Sequence, residues 1–332
     1  MLFLNSLVNV LRYLLPFNRH PCEDLQNQNQ ISASLQVAER GLKWAEVVDK
    51  ISSPNTEISI LKALLQPFTI ATAISYTGCT GYDVHGFHLV GSATPTDGLH
   101  AYAYQHNTVP TQVLIAFRGT TSASDTCADA VLWDLPLSDT CKKFSNETLD
   151  YISQAKSFVS TTIDELGRSQ DKNTLIDLAF TGHSLGCGLT SLTTLDYATN
   201  MEHSLLNTNN IGPDTNQIGS VRGICFAEPG TELVAKRMGL DLSQADKVLA
   251  IANPYDPIVW STKEEQVGTV CEWDTRDIEE PKACTRCKHY TWQKSSPMCH
   301  TCYESTHIYS HYIDALKGMQ HSFLCTGKAT RR

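Results

Sequence analysis

The 332-residue sequence has no surplus of positive charge, since 26 lysines and arginines stand against 35 aspartates and glutamates and the formal net charge is −9. It has no basic cluster either, so nucleic acid is excluded as an expected partner. No uninterrupted apolar run reaches the length of a membrane span, and no internal repeat is present. Hydrophobic residues make up 41% of the chain, enough to bury a sizeable core in one large domain or two.

The first seventeen residues lack the marks of a secretory signal peptide, because they have no early positive charge and no small-residue cleavage site. Their polar members lie on one side of a helix, and apolar residues cover the remainder up to Pro16. Residues 1–17 are therefore predicted to form an amphipathic helix on a membrane surface. A helix packed on the protein's own core and an atypical signal or signal-anchor are the alternatives. Residues 18–33 are typical of a linker, and 326–332 form a tail.

The rest of the chain is organised around residues 175–198. An apolar run at 175–180 leads into Gly-His-Ser-Leu-Gly at 182–186, and a helical pattern follows. Strand, Gly-x-Ser-x-Gly and helix form the context of a nucleophile elbow, whose tight turn requires glycine on both sides of the serine. The first N–H groups of the helix point toward the same serine. The sequence thus predicts Ser184 as a nucleophile, with an ordinary Gly/Ser loop as the alternative.

Strand and helix patterns alternate through residues 34–325, the predicted main domain. Further strands are predicted at 87–90, 101–104, 112–117, 221–227 and 247–252. Amphipathic spacing predicts a long helix at 149–166. Alternation around a serine elbow predicts the α/β class: a mostly parallel central sheet with helices on both faces.

A serine nucleophile needs a base, an acid that orients the base, and hydrogen-bond donors for the oxyanion. Phe-Arg-Gly-Thr at 117–120 ends a predicted strand, where functional loops gather in α/β sheets. Gly119 lets the backbone approach a substrate, and Thr120 offers a backbone N–H and a hydroxyl. The second donor is the N–H of Leu185, directly after the nucleophile. A plain turn with Arg118 in an ion pair is the alternative.

Phe-Arg-Gly-Thr followed by Gly-His-Ser-Leu-Gly resembles the class 3 (fungal-type) lipase family of α/β-hydrolases, over roughly residues 60–320. The resemblance implies an α/β-hydrolase fold with Thr120 in the oxyanion hole. The family's acid lies in a loop of the form Asn-x-x-Asp-x-Val-Pro. Residues 253–259, Asn-Pro-Tyr-Asp-Pro-Ile-Val, follow a predicted strand and share the asparagine and aspartate of that form, though not its final Val-Pro, so the resemblance implies Asp256 as the acid. An aspartate in a Pro-rich turn is the alternative. Cys187 departs from the family, which has a second glycine there, but a small buried side chain is expected to fit.

The catalytic histidine is expected after Asp256 in the chain order serine, acid, histidine. In many bacterial and plant members of the family this histidine stands five residues before a Tyr-Leu or Tyr-Ile pair. His307 fits that register before Tyr312, so the resemblance implies His307 as the base. His311 is the second choice. A metal-binding pair formed by these two histidines is a further alternative, without a supporting acidic motif.

Residues 121–137 follow the oxyanion loop, where the family carries its lid. The segment is rich in alanine and serine and contains Val131, Leu132 and Trp133, which suits a mobile lid whose apolar underside contacts substrate. A surface helix packed by Trp133 is the alternative.

Twelve cysteines are too few for a small disulfide-stapled scaffold in a chain this long. Four of them form two C-x2-C pairs in a Cys-rich, zinc-ribbon-like insertion at 271–303, before the C-terminal helix. This spacing predicts a structural zinc held by four thiolates, with Cys271 and His289 as spare ligands. The four predicted ligands are Cys284, Cys287, Cys299 and Cys302. The zinc would position His307 without entering the chemistry, and disulfides are the alternative. Zinc–thiolate ligation favours a reducing compartment, so the predicted location is the cytoplasm or the surface of an intracellular membrane.

The predicted chemistry is acyl transfer without a catalytic cofactor. Ser184 attacks an ester carbonyl, His307 accepts its proton and Asp256 orients the imidazolium. Thr120 and Leu185 bind the oxyanion. The predicted function is hydrolysis of lipid carboxyl esters, of the triacylglycerol lipase or phospholipase A type, and the sequence specifies no oligomeric state. A soluble esterase or acyltransferase with the same triad, and a catalytically silent lipase-like binding scaffold, are the alternatives.

Overall fold

The computed structural model describes residues 42–81, 84–169, 174–206, 218–261, 266–287 and 297–326. The predicted amphipathic helix 1–17, the linker 18–33 and the end of the tail lie outside these residues. The strands are β1 Phe87–Ala93, β2 Ala101–His106, β3 Gln112–Phe117, β4 Ile176–Gly182, β5 Ile218–Phe226, β6 Val248–Ala252, β7 Thr269–Glu272 and β8 Leu324–Thr326. The α-helices are α1 Trp44–Ser52, α2 Ile58–Thr77, α3 Ala123–Leu132, α4 Asn146–Leu149, α5 Tyr151–Ser169, α6 Leu185–Leu206, α7 Glu232–Arg237, α8 Pro257–Ser261, α9 Lys282–Cys287, α10 Pro297–Thr306 and α11 Tyr309–Gly318. Short 3-10 helices occupy Asp139–Lys143 and Leu242–Lys247.

The eight strands form one sheet in sequence order, β1 to β8. The five central strands, β3 to β7, pair in parallel. The remaining pairs, at the two edges of the sheet, are antiparallel. Every residue of β3 and β6 is buried, as expected for parallel strands covered on both faces. The chain has the predicted α/β-hydrolase fold.

Helices cover both faces of the sheet, and chain order decides which face each helix covers. Right-handed crossovers between neighbouring parallel strands place α5, α6 and α7 on one face, where they bury two clusters, one containing Val159 and Leu189 and the other containing Val234. The other face is covered by α1 and α2, which precede β1, and by α11, which follows β7. The chain before the first strand and after the seventh therefore completes the core.

The helix α2 is the one helix in the described part of the chain that is long and apolar enough to cross a membrane. Its sequence is interrupted by Gln66, so no uninterrupted apolar run marks it. Most of the helix is buried, and two of its threonines contact the domain's interior. Thr72 Oγ1 lies 3.2 Å from Thr181 Oγ1 of β4, and the carbonyl of Thr69 accepts a 2.6 Å hydrogen bond from the Tyr309 hydroxyl. These contacts identify α2 as a core helix.

Disulfides take the place of the predicted zinc site. Four bridges join described cysteines, namely Cys127–Cys141, Cys187–Cys225, Cys271–Cys325 and Cys284–Cys302. Cys79 and Cys299 are disulfide-bonded as well, and no described cysteine is free. A disulfide sulfur is not a thiolate, so Cys284, Cys299 and Cys302 are unavailable as zinc ligands. The described residues also contain no other cluster able to hold a metal. The structure therefore contains the disulfide alternative and not the four-thiolate site.

The disulfides also change what was predicted for Cys187, for Cys271 and for the cellular location. Cys187 is buried as expected, but it is bonded to Cys225 of β5, and the spare ligand Cys271 is bonded to Cys325. Disulfides persist in oxidising compartments and are rare in the cytosol. A reducing compartment was predicted from zinc–thiolate ligation, and the described cysteines form disulfides instead. The cytoplasmic location is therefore a prediction that the structure does not support.

A thiol count separates the disulfide from the zinc arrangement. We expect alkylation of denatured, unreduced protein to leave Cys284 and Cys302 unmodified, and alkylation after reduction to modify all twelve cysteines. The paired Cys284→Ser/Cys302→Ser change should lower the free energy of unfolding by about 3 kcal/mol, because the bridge closes a loop of moderate length. Peptide mass spectrometry and denaturant unfolding measure these effects. Alkylation of Cys284 and Cys302 without reduction, with bound zinc in native protein, would restore the zinc prediction.

Candidate active site

Ser184 lies at the sharp turn between β4 and α6. Its φ is +58°, in the left-handed region that residues with a side chain rarely adopt. The turn needs glycine at 182 and 186, because a Cβ there would collide with the carbonyl groups of Gly186 and Phe117 respectively. The Ser184 N–H donates a 3.0 Å hydrogen bond to the Phe226 carbonyl at the end of β5. The structure thus gives the predicted segment the geometry of a nucleophile elbow.

His307 and Asp256 continue a line of hydrogen bonds from Ser184. The Ser184 Oγ lies 2.9 Å from Nε2 of His307, and Nδ1 of His307 lies 2.8 Å from Oδ2 of Asp256. Both His307 and Asp256 are buried. This is the spacing that a serine, its general base and an orienting acid require. The structure brings together three residues that the sequence placed far apart.

His311, the second choice for the base, does not reach the serine. It is exposed on α11, and its Nε2 lies 3.0 Å from the backbone carbonyl of Glu304. His307 itself stands in the break between α10 and α11, not inside a continuous helix. The two histidines therefore do not share one helical face, and the structure does not form the alternative metal pair.

Asp256 is held by two donors besides His307. The N–H of Ile258 donates to its Oδ1 at 2.8 Å, and the hydroxyl of Tyr312 donates to its Oδ2 at 2.9 Å. Burial, followed by the nearby Asp256 charge, raises the pKa of Tyr312 well above its usual value, so the hydroxyl keeps its proton and stays a donor. The sequence marked Tyr312 only as a register residue, and its contact with Asp256 is visible only in the fold.

The oxyanion loop follows β3 and lies against the elbow. Gly119 is required there, because a Cβ would collide with the Tyr76 hydroxyl and the His183 carbonyl. The Thr120 hydroxyl donates a 2.7 Å hydrogen bond to Oδ2 of Asp129 on α3, which orients the threonine. Leu185 begins α6, in the first turn, where backbone N–H groups have no partner within their own helix. Gly119, the neighbour of Thr120, therefore lies against the elbow, and Leu185 directly follows Ser184 in the chain, while their role as oxyanion donors stays a prediction.

Asp129 is a residue of this loop region that the sequence analysis missed. Burial raises its pKa to about 8, although its hydrogen bond from Thr120 lowers it in part. The raised pKa favours the neutral form of Asp129 near neutral pH, which reduces negative charge beside a developing oxyanion. In the sequence it is one acidic residue on a predicted lid, with no feature that distinguishes it from a solvated aspartate.

The predicted lid segment is a helix with fixed ends. At its start, Asp125 accepts hydrogen bonds from the Ser122 N–H and from the Tyr151 hydroxyl and forms a 3.1 Å ion pair with Arg118. At its end, Trp133 Nε1 donates to the Gly230 carbonyl at 2.7 Å. These contacts favour the alternative of a surface helix packed by Trp133. The ion pair of Arg118 with Asp125 is the structural role that was considered for this arginine as an alternative to an oxyanion loop.

The Cys284–Cys302 disulfide lies next to the triad. Sγ of Cys302 is 3.6 Å from the carbonyl of Tyr255, the residue before the acid. Cys302 is on α10, which ends one residue before His307. The bridge therefore ties α10, which ends just before His307, to α9, and its Cys302 sulfur contacts the acid loop, so it lies where the zinc was predicted to position His307.

Comparison with known proteins bears on residues 114–259, which match the family model Lipase (class 3). The chain is thus similar to class 3 lipases over this segment, which is a little under half of its length. The matched segment contains Thr120, Ser184 and Asp256 but ends before His307, so the assignment of His307 as the base is supported by its hydrogen bonds and not by this match.

Three solved structures with detectable similarity to this chain are lipases with low sequence identity to it. Lipase II from Rhizopus niveus is 14% identical, with 64% of this chain and 81% of that chain covered and a TM-score of 0.42. A lipase from Rhizopus microsporus var. chinensis is 12% identical, with 73% and 75% covered and a TM-score of 0.35. M37 lipase is 14% identical, with 83% and 78% covered and a TM-score of 0.34. No match to curated proteins was found.

Proposed function

We propose that this chain is a serine hydrolase that cleaves carboxyl esters of lipids through an acyl-enzyme on Ser184. The observation that carries the proposal is the buried chain of hydrogen bonds from Ser184 through His307 to Asp256. It lies just beyond the carboxyl ends of β4 and β6, where active sites form in parallel sheets. The match of residues 114–259 to the class 3 lipase model supports the same chemistry.

In the proposed mechanism each triad residue acts through one particular atom. His307 Nε2 takes the proton of Ser184 Oγ as this oxygen attacks the ester carbonyl, and Asp256 stabilises the imidazolium through Nδ1. His307 then gives the proton to the leaving alcohol, and water repeats the sequence on the acyl-enzyme. The N–H groups of Thr120 and Leu185 bind the oxyanion, each lowering the barrier by roughly 3–4 kcal/mol. No step requires a metal or an organic cofactor.

A lipid substrate is favoured over a soluble ester by the surface beside α3. Four large apolar side chains there are between 44% and 55% exposed, namely Val131, Leu135, Leu137 and Leu233; we call them the apolar rim. The segments that carry them are joined where Arg237 Nη2 donates to the Leu132 carbonyl at 2.7 Å. Asp129, two residues before Val131 on α3, accepts the hydrogen bond from Thr120. We propose that the rim rests on a lipid surface and delivers esters to Ser184.

Fatty-acid release from tributyrin below and above its solubility limit tests the proposal. We expect the wild-type rate to rise steeply once droplets form, and replacement of Val131, Leu135 and Leu137 by serine to lower only this interfacial rate. Leu175→Ser is the matched control, because Leu175 is as exposed as the rim but lies at the opposite end of β4.

A rate that saturates below the solubility limit would favour the soluble esterase or acyltransferase alternative. An equal loss with Leu175→Ser would remove the role of the rim. Absence of turnover on any ester, including phosphatidylcholine vesicles, would favour the binding scaffold. The Ser184→Ala variant serves as the blank.

A further inference from the structure

The side chain of His183, the residue before the nucleophile, has no step in the mechanism, yet it lies at the centre of the site. It is only 3% exposed. Its ring centroid is 4.8 Å from that of His307, and the ring planes are tilted by 40°. The rings of Tyr309 and Tyr312 surround it at 5.1 and 5.3 Å.

We propose that His183 is a positioning residue that holds the ring of the base His307 in its reacting orientation, and that Tyr76 fixes the ring of His183 in turn. The proposal rests on the function proposed above and adds a residue to the reaction's supporting structure. It assigns His183 no proton transfer, because its Nδ1 lies against the Tyr76 hydroxyl and the Ser184 hydroxyl is hydrogen-bonded to His307 instead.

His307 needs such support because of where it stands. It occupies the break between two helices, so no regular helical packing fixes its side chain. Its hydrogen bonds to Ser184 and Asp256 lie in the plane of the ring, and the terminal torsion of a histidine is intrinsically broad. Contact with neighbouring rings resists tilting out of that plane. His183 and Tyr303, whose centroid is 4.7 Å from that of His307, provide these contacts.

His183 is suited to this position because it stays uncharged. Burial lowers its pKa well below the ordinary value, and the neighbouring His307 lowers it further, with a partial offset from the His307 backbone. When His307 becomes an imidazolium during the reaction, the adjacent ring therefore carries no opposing charge. A second ionised group at 4.8 Å would instead hinder proton transfer from Ser184.

Tyr76, in the last turn of α2, fixes His183 from the other side. Its hydroxyl lies 2.9 Å from Nδ1 of His183 and 3.4 Å from the His183 carbonyl. Burial raises the pKa of Tyr76 well above its usual value, so the hydroxyl keeps its proton. The same hydroxyl fills the space that a side chain at Gly119 would take. Tyr76 therefore contacts both the elbow and the oxyanion loop.

Two substitutions separate ring contact from hydrogen bonding. His183→Phe keeps a ring against His307 but lacks Nδ1, whereas His183→Gln keeps a polar group for Tyr76 but lacks the ring. On a soluble p-nitrophenyl ester we expect His183→Gln to lower kcat roughly 10- to 100-fold with KM changed less than about twofold, because displacement of a catalytic group by about 1 Å costs that much. We expect the kcat of His183→Phe to stay within about fivefold of the wild-type value, because the ring contact with His307 is kept.

The rate of Ser184 labelling by a fluorophosphonate should fall in parallel with kcat, since labelling depends on the same proton transfer. His311→Gln, an exposed histidine on the neighbouring helix, is the control and should match wild type. A wild-type kcat in His183→Gln would overturn the proposal. Equal losses of kcat in the Gln and Phe variants would overturn it as well. So would losses of kcat that only follow the fall in melting temperature. An inactive and unlabelled wild type would instead overturn the proposed function itself.

Discussion

His307→Gln is expected to lower ester turnover by about 10⁴- to 10⁶-fold, the range found when the base of a serine triad is removed. A glutamine amide cannot accept a proton at neutral pH, so the Ser184 hydroxyl would remain a weak nucleophile. The 2.9 Å contact between Ser184 Oγ and His307 Nε2 is the geometric reason for choosing this residue. Initial rates on a soluble p-nitrophenyl ester give kcat and kcat/KM for both proteins.

His311→Gln is the matched control for that experiment. His311 is four residues further on, exposed, and bonded to the Glu304 carbonyl. Its loss should change kcat by less than about twofold, as is usual for surface substitutions that touch no buried contact. The opposite outcome, with His311→Gln inactive and His307→Gln active, would make His311 the base and would contradict the hydrogen-bond chain.

Asp256→Asn is expected to lower kcat by about 10⁴-fold, the effect of placing an amide where the triad needs a carboxylate. Asp256 accepts hydrogen bonds on both oxygens, from Ile258 on one and from Tyr312 and His307 on the other. An asparagine has a single acceptor oxygen, so it cannot satisfy these donors and also hold the imidazole tautomer that leaves Nε2 free to accept a proton. The result is a folded protein with a misoriented base.

Tyr312→Phe is the comparison that separates the acid from its support. It removes one donor to Asp256 but keeps the carboxylate and the aromatic ring, so we expect a loss of roughly tenfold, in line with one hydrogen bond to a charged group. Tyr312→Phe should also lower the melting temperature, because the buried Asn253 N–H loses the Tyr312 hydroxyl as its acceptor, so kcat is compared at a temperature where both variants are folded. Equal kcat in Asp256→Asn and wild type, or equal losses in Asp256→Asn and Tyr312→Phe, would contradict the assignment of Asp256 as the acid.

The sequence predicts best where geometry is local. The elbow at Ser184 follows from two glycines, an apolar run and a helical pattern within one short stretch, because a turn that tight admits few residues. Asp256 and His307 were reached through the family resemblance, because nothing local marks an acid or a base that acts at a distance.

The residues that the sequence missed are those whose role depends on two distant elements. Tyr76 is on a helix before the first strand, yet its hydroxyl meets the elbow. Asp129 and Tyr312 reach Thr120 and Asp256 only after the loops have folded onto the sheet edge. Each looks ordinary in its own segment.

The cysteines show the same limit in another form. Cysteines with C-x2-C spacing can bind one zinc ion together, but each can also form a disulfide with a cysteine of another segment. Pairing depends on which Cα atoms approach within bonding range, and the fold brings Cys284 to Cys302, with Cα atoms 4.7 Å apart. Spacing identified the segment that supports His307 but not the bond that does so.

Covalent labelling of the folded chain with a fluorophosphonate, followed by peptide mass spectrometry, tests most directly whether Ser184 is an activated nucleophile. We predict a single adduct on the peptide containing Ser184, absent from Ser184→Ala and formed far more slowly in His307→Gln. An adduct on another serine, or no adduct on folded wild-type protein, would contradict the account.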